Sequence, residues 1–354
     1  MSDSKRAGMP GPPLRRGARP QALAFSEIVL TKTRMLAPEL TMPLVIEPAI
    51  DNVDLVAWAR DNSEYLDGEL LKHGALLLRG FETDLEVFES VAGAVSKELF
   101  RDYGDLPQEQ GKDAVYHSTP YPENEMIDFH NESSHLRSWP EKQFFMCMLV
   151  SEEGGVTPIA DCREVYRLLS PALRDKFHAK GLKYVRNFIP KLDVSWQQFF
   201  RTENRAEVEA KCRETGTDFK WKDGDRLKIE SWAPGVITHP RTGELVFFNQ
   251  VRLHHISCLP AAYRESTLSM FGEDDLPRNV VFGDGTPITD DEIAQVGLAF
   301  DKAVVDAPWQ KGDIMMLNNM LVAHGRRSFK GKRKIVVAMA DMWKTEDVQS
   351  RPQA

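Results

Sequence analysis

The sequence predicts an α+β protein in which most of the sheet is antiparallel. Three observations carry this expectation. Apolar residues keep helical spacing over much of the chain up to Gly181, short strands separated by turn residues dominate from Leu182 onward, and no regular strand–helix alternation runs through it. No period of about 20–50 residues repeats, which argues against solenoids and propellers.

Taken in order, the chain opens with "MSDSKRAGMPGPPLRRGARP", rich in Pro, Gly and Arg. This stretch lacks the apolar centre of a secretory signal, and its prolines oppose an amphipathic transit helix. Residues 1–35 are therefore expected to be a disordered tail. Residues 51–73 have helical spacing and stop at Gly74, "ALLLRGF" (75–81) has the look of a buried strand, and residues 84–98 return to helical spacing. "KQFFMCMLVS" (142–151) is a further buried strand followed by the turn "EEGG", and residues 163–181 are helical with Gly181 as the stop. Beyond it, "KYVRNF", "DIMMLNN" and "RKIVVAMADMW" are strands, and "VITHP" and "LVFFN" flank "RTGE" as a hairpin. Thr289, with Glu292 three positions on, is a capping box for a helix over 289–305. Residues 190–235, rich in Trp, Lys and Asp with weak periodicity, are expected to form a lid-like insertion.

A formal net charge of -8 over 354 residues argues against nucleic acid or an anionic membrane as the main partner. No apolar run approaches the ~18–20 residues of a membrane span. Cys147, Cys162, Cys212 and Cys258 are scattered and form no C-x-x-C pair, which disfavours structural zinc and a disulfide framework and fits a reducing cytoplasm.

The chemistry concentrates in Asp128–His135, "DFHNESSH". On an extended segment, residues two apart share a side, so His130 and Glu132 can converge on one ion. An imidazole and a carboxylate are two-thirds of the 2-His-1-carboxylate set that leaves positions open for iron(II) chemistry. A distant histidine must complete it. His324 has the best surroundings, at the end of a strand and ahead of the basic loop "GRRSFKGKRK", where Arg333 and Lys334 could pair with a dianionic co-substrate. His254 or His255 competes for the same role, and a bare H-x-E also arises by chance, so these residues alone leave the metal open.

Several stretches, in this order, resemble the TauD/clavaminate-synthase-like superfamily of iron(II)- and 2-oxoglutarate-dependent oxygenases. They are "FHNE", "GGVTPIADCREVYRLL", "YVRNF", "HPRTGELVFFNQ", "LPRNVVFGDGTPI", "WQKGDIMMLNNMLVAHGR" and "FKGKRKIVVAM". The chain looks most similar to the branch resembling SyrP, which hydroxylates amino-acid units in nonribosomal peptide pathways. The resemblance implies a double-stranded β-helix, or jelly roll, with flanking helices, formed by residues 36–354 as one domain. It implies Fe(II), 2-oxoglutarate and O2 as the cofactor set, with His130, Glu132 and His324 as iron ligands. Thr157 matches the threonine that bonds 2-oxoglutarate, although Val156 stands where the usual form has an acidic residue. Arg333 matches the arginine that clamps the far carboxylate, with Lys334 as its competitor. Related halogenases have a small residue in place of Glu132, so hydroxylation or desaturation is the implied chemistry.

The implied substrate is a small amino-acid-type molecule, free or bound to a peptidyl carrier protein. Ser134, His135, Arg186, Asn187 and Arg326 are the candidate contacts for it. Rival readings are the same chemistry on another small acid, a non-catalytic jelly roll, and a zinc hydrolase using the same three ligands.

Overall fold

A computed structural model describes residues 29–101, 106–189, 194–259, 261–272 and 275–348. Two sheets face each other in a jelly roll, with helices packed outside. The larger has seven strands in the order Thr31–Met35, Leu44–Pro48, Ala75–Leu78, Ile314–Asn318, Ser138–Leu149, Lys334–Lys344 and Tyr116–His117. The smaller has four, Val304–Ala307, Thr157–Asp161, Val322–Arg326 and Ile127–His130. Pairing in both sheets is antiparallel except between Leu44–Pro48 and Ala75–Leu78.

The pleat sorts the larger sheet's side chains into two cores. Phe145, Cys147, Met315, Leu317, Ile335, Val337 and Met339 point inward, where they share a cluster with Phe129, Ile159 and Ala323 of the smaller sheet. Their alternates Phe144, Met146, Ile314, Met316, Val336 and Ala338 point outward. There they meet Trp58, Leu66, Leu70, Phe88 and Val91 of the helices Leu55–Asp61, Ser63–His73 and Leu85–Ala94. A strand buried on both faces gains from apolar residues at every position, so "FFMCM" and "IMML" show no alternation in sequence.

The local signals act where they were read. Gly74 takes the left-handed conformation at φ 74° and caps Ser63–His73, and the Thr289–Glu292 capping box opens Asp290–Ala303. The helix expected over 163–181 is instead two, Cys162–Leu168 and Pro171–Lys180. Pro171 has no N–H to continue the first helix, and its fixed φ suits the first turn of the second.

Two broader expectations change. Of the tail expected over 1–35, Thr31–Met35 is instead a strand paired with Leu44–Pro48 at the sheet edge; residues 1–28 lie outside the described residues. This edge strand is mostly exposed, so it carries no apolar signature. The lid expected over 190–235 contains the helices Trp196–Phe200 and Arg205–Thr215 and the hairpin Asp218–Lys222/Arg226–Ala233. Trp196, Val208, Cys212 and Leu227 form a small core with Phe188, and the hairpin extends a sheet through Leu182–Phe188 to Arg278–Phe282. Residues 190–193 lie outside the described set.

Candidate metal centre and anion cradle

His130 ends one strand of the smaller sheet and His324 lies in the next. The register makes them direct partners, with ring centroids 4.3 Å apart. Glu132 arrives differently from the extended geometry expected. The strand stops at His130, and residues 132–135 form a turn in which Ser133 has φ 56°. Asn319 holds this turn. Its Oδ1 accepts from the Glu132 N–H at 2.7 Å, and its Nδ2 donates to the Glu132 and Pro140 carbonyls at 3.0 and 2.9 Å. Asn131, between His130 and Glu132, turns into the core and donates to the Asn319 carbonyl at 2.7 Å.

One ligand atom each from His130, Glu132 and His324 lie within 4.8 Å of one another, the one such grouping among the described residues. The His130 Nδ1 lies 2.9 Å from the Asp128 carbonyl. A carbonyl only accepts, so Nδ1 carries a hydrogen, which leaves Nε2 as the nitrogen that could face a metal. Burial, with His130 beside it, holds His324 well below the ordinary histidine pKa and therefore neutral. The His324 Nδ1 is buried and has no hydrogen-bond partner among the described residues. Two imidazoles and a carboxylate, with the Gln143 amide donating to Glu132 Oε2 at 3.3 Å, are a donor set that fits iron(II).

These residues line a pocket open at its mouth and walled by Phe145, Ile335 and Val337. Glu132 is its one carboxylate among the described lining residues, against two guanidiniums, Arg326 and Arg333. Arg333 Nε donates to the Gly155 carbonyl at 2.8 Å and its Nη2 to Thr157 Oγ1 at 3.3 Å; burial pulls its pKa down to about 10. Arg333 has no carboxylate partner among the described residues, and such a guanidinium in a low-dielectric wall attracts an anion strongly.

Not every sequence candidate reaches the pocket. Lys334 does not: the pleat sends it the other way, where it pairs with Glu109 at 2.8 Å. Ser134 is fully buried and donates to the Asn131 carbonyl at 2.8 Å, and Asn187 bonds the Leu276 carbonyl and Lys222, so both serve the local fold. Arg186 stacks on Phe188 and Phe199, with its guanidinium carbon 4.7 and 4.6 Å from the ring centroids. His135 faces His254 and Tyr184, and burial pushes its pKa down to about 4. His254 sits on a helical turn and His255 bonds Ser257 and the Ile288 carbonyl, so neither joins the triad. Of the five proposed substrate contacts only Arg326 lines the pocket, and its guanidinium donates to the carbonyls of Tyr121, Pro122 and Glu125.

Sequence reading gave no role to Gln143, Trp309 or Asn319. A polar residue inside the apolar run "KQFFMCML" was the available signal for Gln143; Trp309 and Asn319 stood inside recognised motifs without distinguishing marks.

Comparison with known proteins shows the family. The family model described as "Taurine catabolism dioxygenase TauD, TfdA family" matches residues 36–339. The dapdiamide synthesis protein DdaC of Enterobacter agglomerans is 34% identical over 278 residues, 78% of this chain and 84% of its own length. A clavaminate synthase-like protein of Arabidopsis thaliana is 27% identical over 317 residues, covering 84% and 93%. Among solved structures, PvcB, described as an Fe, alpha-ketoglutarate dependent oxygenase from an isonitrile synthetic pathway, superposes with a TM-score of 0.54 at 15% identity, covering 93% of this chain and 97% of its own. A taurine dioxygenase from Burkholderia xenovorans gives 0.53 at 15% identity, covering 92% and 96%. At such identities the structures speak to the shared fold.

Proposed function

Because the chain belongs to the TauD/TfdA dioxygenase family, we propose that it hydroxylates an unactivated C–H bond of an amino acid or amino-acid-derived substrate, with His130, Glu132 and His324 holding iron(II) and Thr157 and Arg333 anchoring 2-oxoglutarate. The protein is an iron(II)- and 2-oxoglutarate-dependent dioxygenase. When bound, iron(II) with 2-oxoglutarate and O2 supplies the oxidising power for the reaction, and succinate and CO2 are released.

The observation that carries the residue assignment is the meeting, in one pocket, of the His–Glu–His group with the Thr157–Arg333 cradle. The cradle is what a zinc hydrolase would leave without a role. Glu132 supports hydroxylation over halogenation, since its carboxylate takes the position a halide would need. Phe145, Ile335 and Val337 form an apolar wall that limits water around the reacting carbon. The relative named for dapdiamide synthesis supports an amino-acid-derived substrate. Delivery on a peptidyl carrier protein, and operation in a reducing cytoplasm where the four free cysteines stay reduced, complete the proposal. No helix among the described residues is long and apolar enough to cross a membrane.

Anaerobic titration of the apoprotein with iron(II) and 2-oxoglutarate tests the assignment. A weak visible band near ~500 nm is expected, and its loss in His130→Ala. Metallated wild-type protein without the band would sink the reading. Succinate formation with free amino acids, set against carrier-loaded ones, then identifies the form of the substrate.

A further inference from the structure

Thr157 has both acceptor positions of its hydroxyl taken. Trp309 Nε1 donates to Oγ1 at 3.1 Å, and Arg333 Nη2 donates to the same atom at 3.3 Å. A hydroxyl has two lone pairs and one proton, and neither an indole N–H nor a guanidinium can accept. The proton of Thr157 is therefore turned away from both donors, at a residue that lines the pocket beside His324 and Arg333.

Trp309 itself stands behind this wall. It is 8% exposed and borders a second cavity on the far side of Arg333, with Cys147, Gly155 and Pro308. It is not among the residues lining the metal pocket. The sheet register sets its place, since Ala307, two residues earlier, is the strand partner of Thr157.

We propose that Trp309 is a positioning residue for co-substrate binding, its indole N–H fixing the Thr157 hydroxyl so that the threonine proton is presented to a carboxylate of 2-oxoglutarate. This rests on the placement of 2-oxoglutarate at Thr157 and Arg333. Trp309 touches neither metal nor co-substrate; it removes the rotational freedom that the hydroxyl would otherwise lose on binding.

The test is calorimetric binding of 2-oxoglutarate to the Mn(II)-loaded protein, which needs no turnover. Trp309→Phe keeps an aromatic ring and deletes the donor. It is expected to weaken 2-oxoglutarate binding about 3- to 10-fold, the size of one lost hydrogen bond, with Mn(II) affinity unchanged. In a Thr157→Val background there is no hydroxyl to orient, so Trp309→Phe should cost nothing more. Wild-type binding in Trp309→Phe, or an equal further loss in the Thr157→Val background, overturns the proposal. Should the phenylalanine variant fail to fold, 3-benzothienylalanine at position 309 replaces the N–H with sulfur at nearly constant shape, and the same two outcomes decide. Binding indifferent to Arg333→Ala would refute the cradle, and the role of Trp309 with it. A working cradle with a silent Trp309→Phe refutes the role of Trp309 alone.

Discussion

At position 333 the side chain reaches Gly155 and Thr157 inside the jelly roll, and at position 334 it reaches Glu109 on the opposite face. Both residues are basic and adjacent, so composition could not separate them; the pleat does. Loss of a charged hydrogen-bonding group should therefore matter at one position only. Arg333→Ala is expected to weaken 2-oxoglutarate binding at least about 10-fold, while Lys334→Ala leaves it unchanged, as read by calorimetry on the metal-loaded protein. Glu132 gives a second lesson at this scale. The H-x-E spacing was legible, yet its explanation as one face of a strand fails, because Asn319 and a turn bring the carboxylate round. Asn319 is 187 positions away in sequence, and no local pattern announces such a contact.

Among the elements, the turn after the long strand Ser138–Leu149 shapes the cradle. Gly155 has φ 69°, and a Cβ there would lie 2.4 Å from Ser151 Oγ and 3.0 Å from Arg333 Cδ. Its carbonyl is the acceptor that aims Arg333. Gly155→Ala should cost about 1–3 kcal/mol of stability from the strained backbone and also weaken 2-oxoglutarate binding, the first seen as a lower denaturation midpoint. "EEGG" was legible as a turn, but that its last glycine accepts a hydrogen bond from Arg333 was not. Helix caps were the most legible features, because Gly74 and the Thr289–Glu292 pair act within four residues of themselves. The 190–235 segment was least legible. Its aromatics pack on one another and on Phe188, and mixed burial over short helices blurs any period.

Across the whole molecule, burial depresses the pKa of His135, His239, His254, His255 and His324 together. His239 is fully buried, its Nδ1 accepts from the Arg241 and Thr242 backbone N–H groups, and its pKa falls to about 4. The folded state keeps this ring neutral, while the unfolded chain takes up a proton below its ordinary value of about 6.5. The neutral ring's contribution is thus complete above that value and is lost as pH falls toward 4, by on the order of 3 kcal/mol. Urea midpoints of the apoprotein should drop steadily across this window. His239→Asn, which keeps an acceptor without the titration, should flatten the decline; a slope unchanged by the variant would assign the acid sensitivity elsewhere.

The sequence by itself determined the features that rest on neighbours in the chain: the capped helices, the doubly buried apolar strands, the H-x-E motif and, through the ordered motifs, the family. Tertiary structure alone decided how His130, Glu132 and His324 come within reach of one another, that Arg333 rather than Lys334 faces the pocket, and where Trp309 and Asn319 bond beside it. The reason is physical. Backbone propensity and pleat periodicity act over a few residues, whereas a metal site or an anion cradle is assembled by strand register between segments far apart, and register is set by the packing of the whole core.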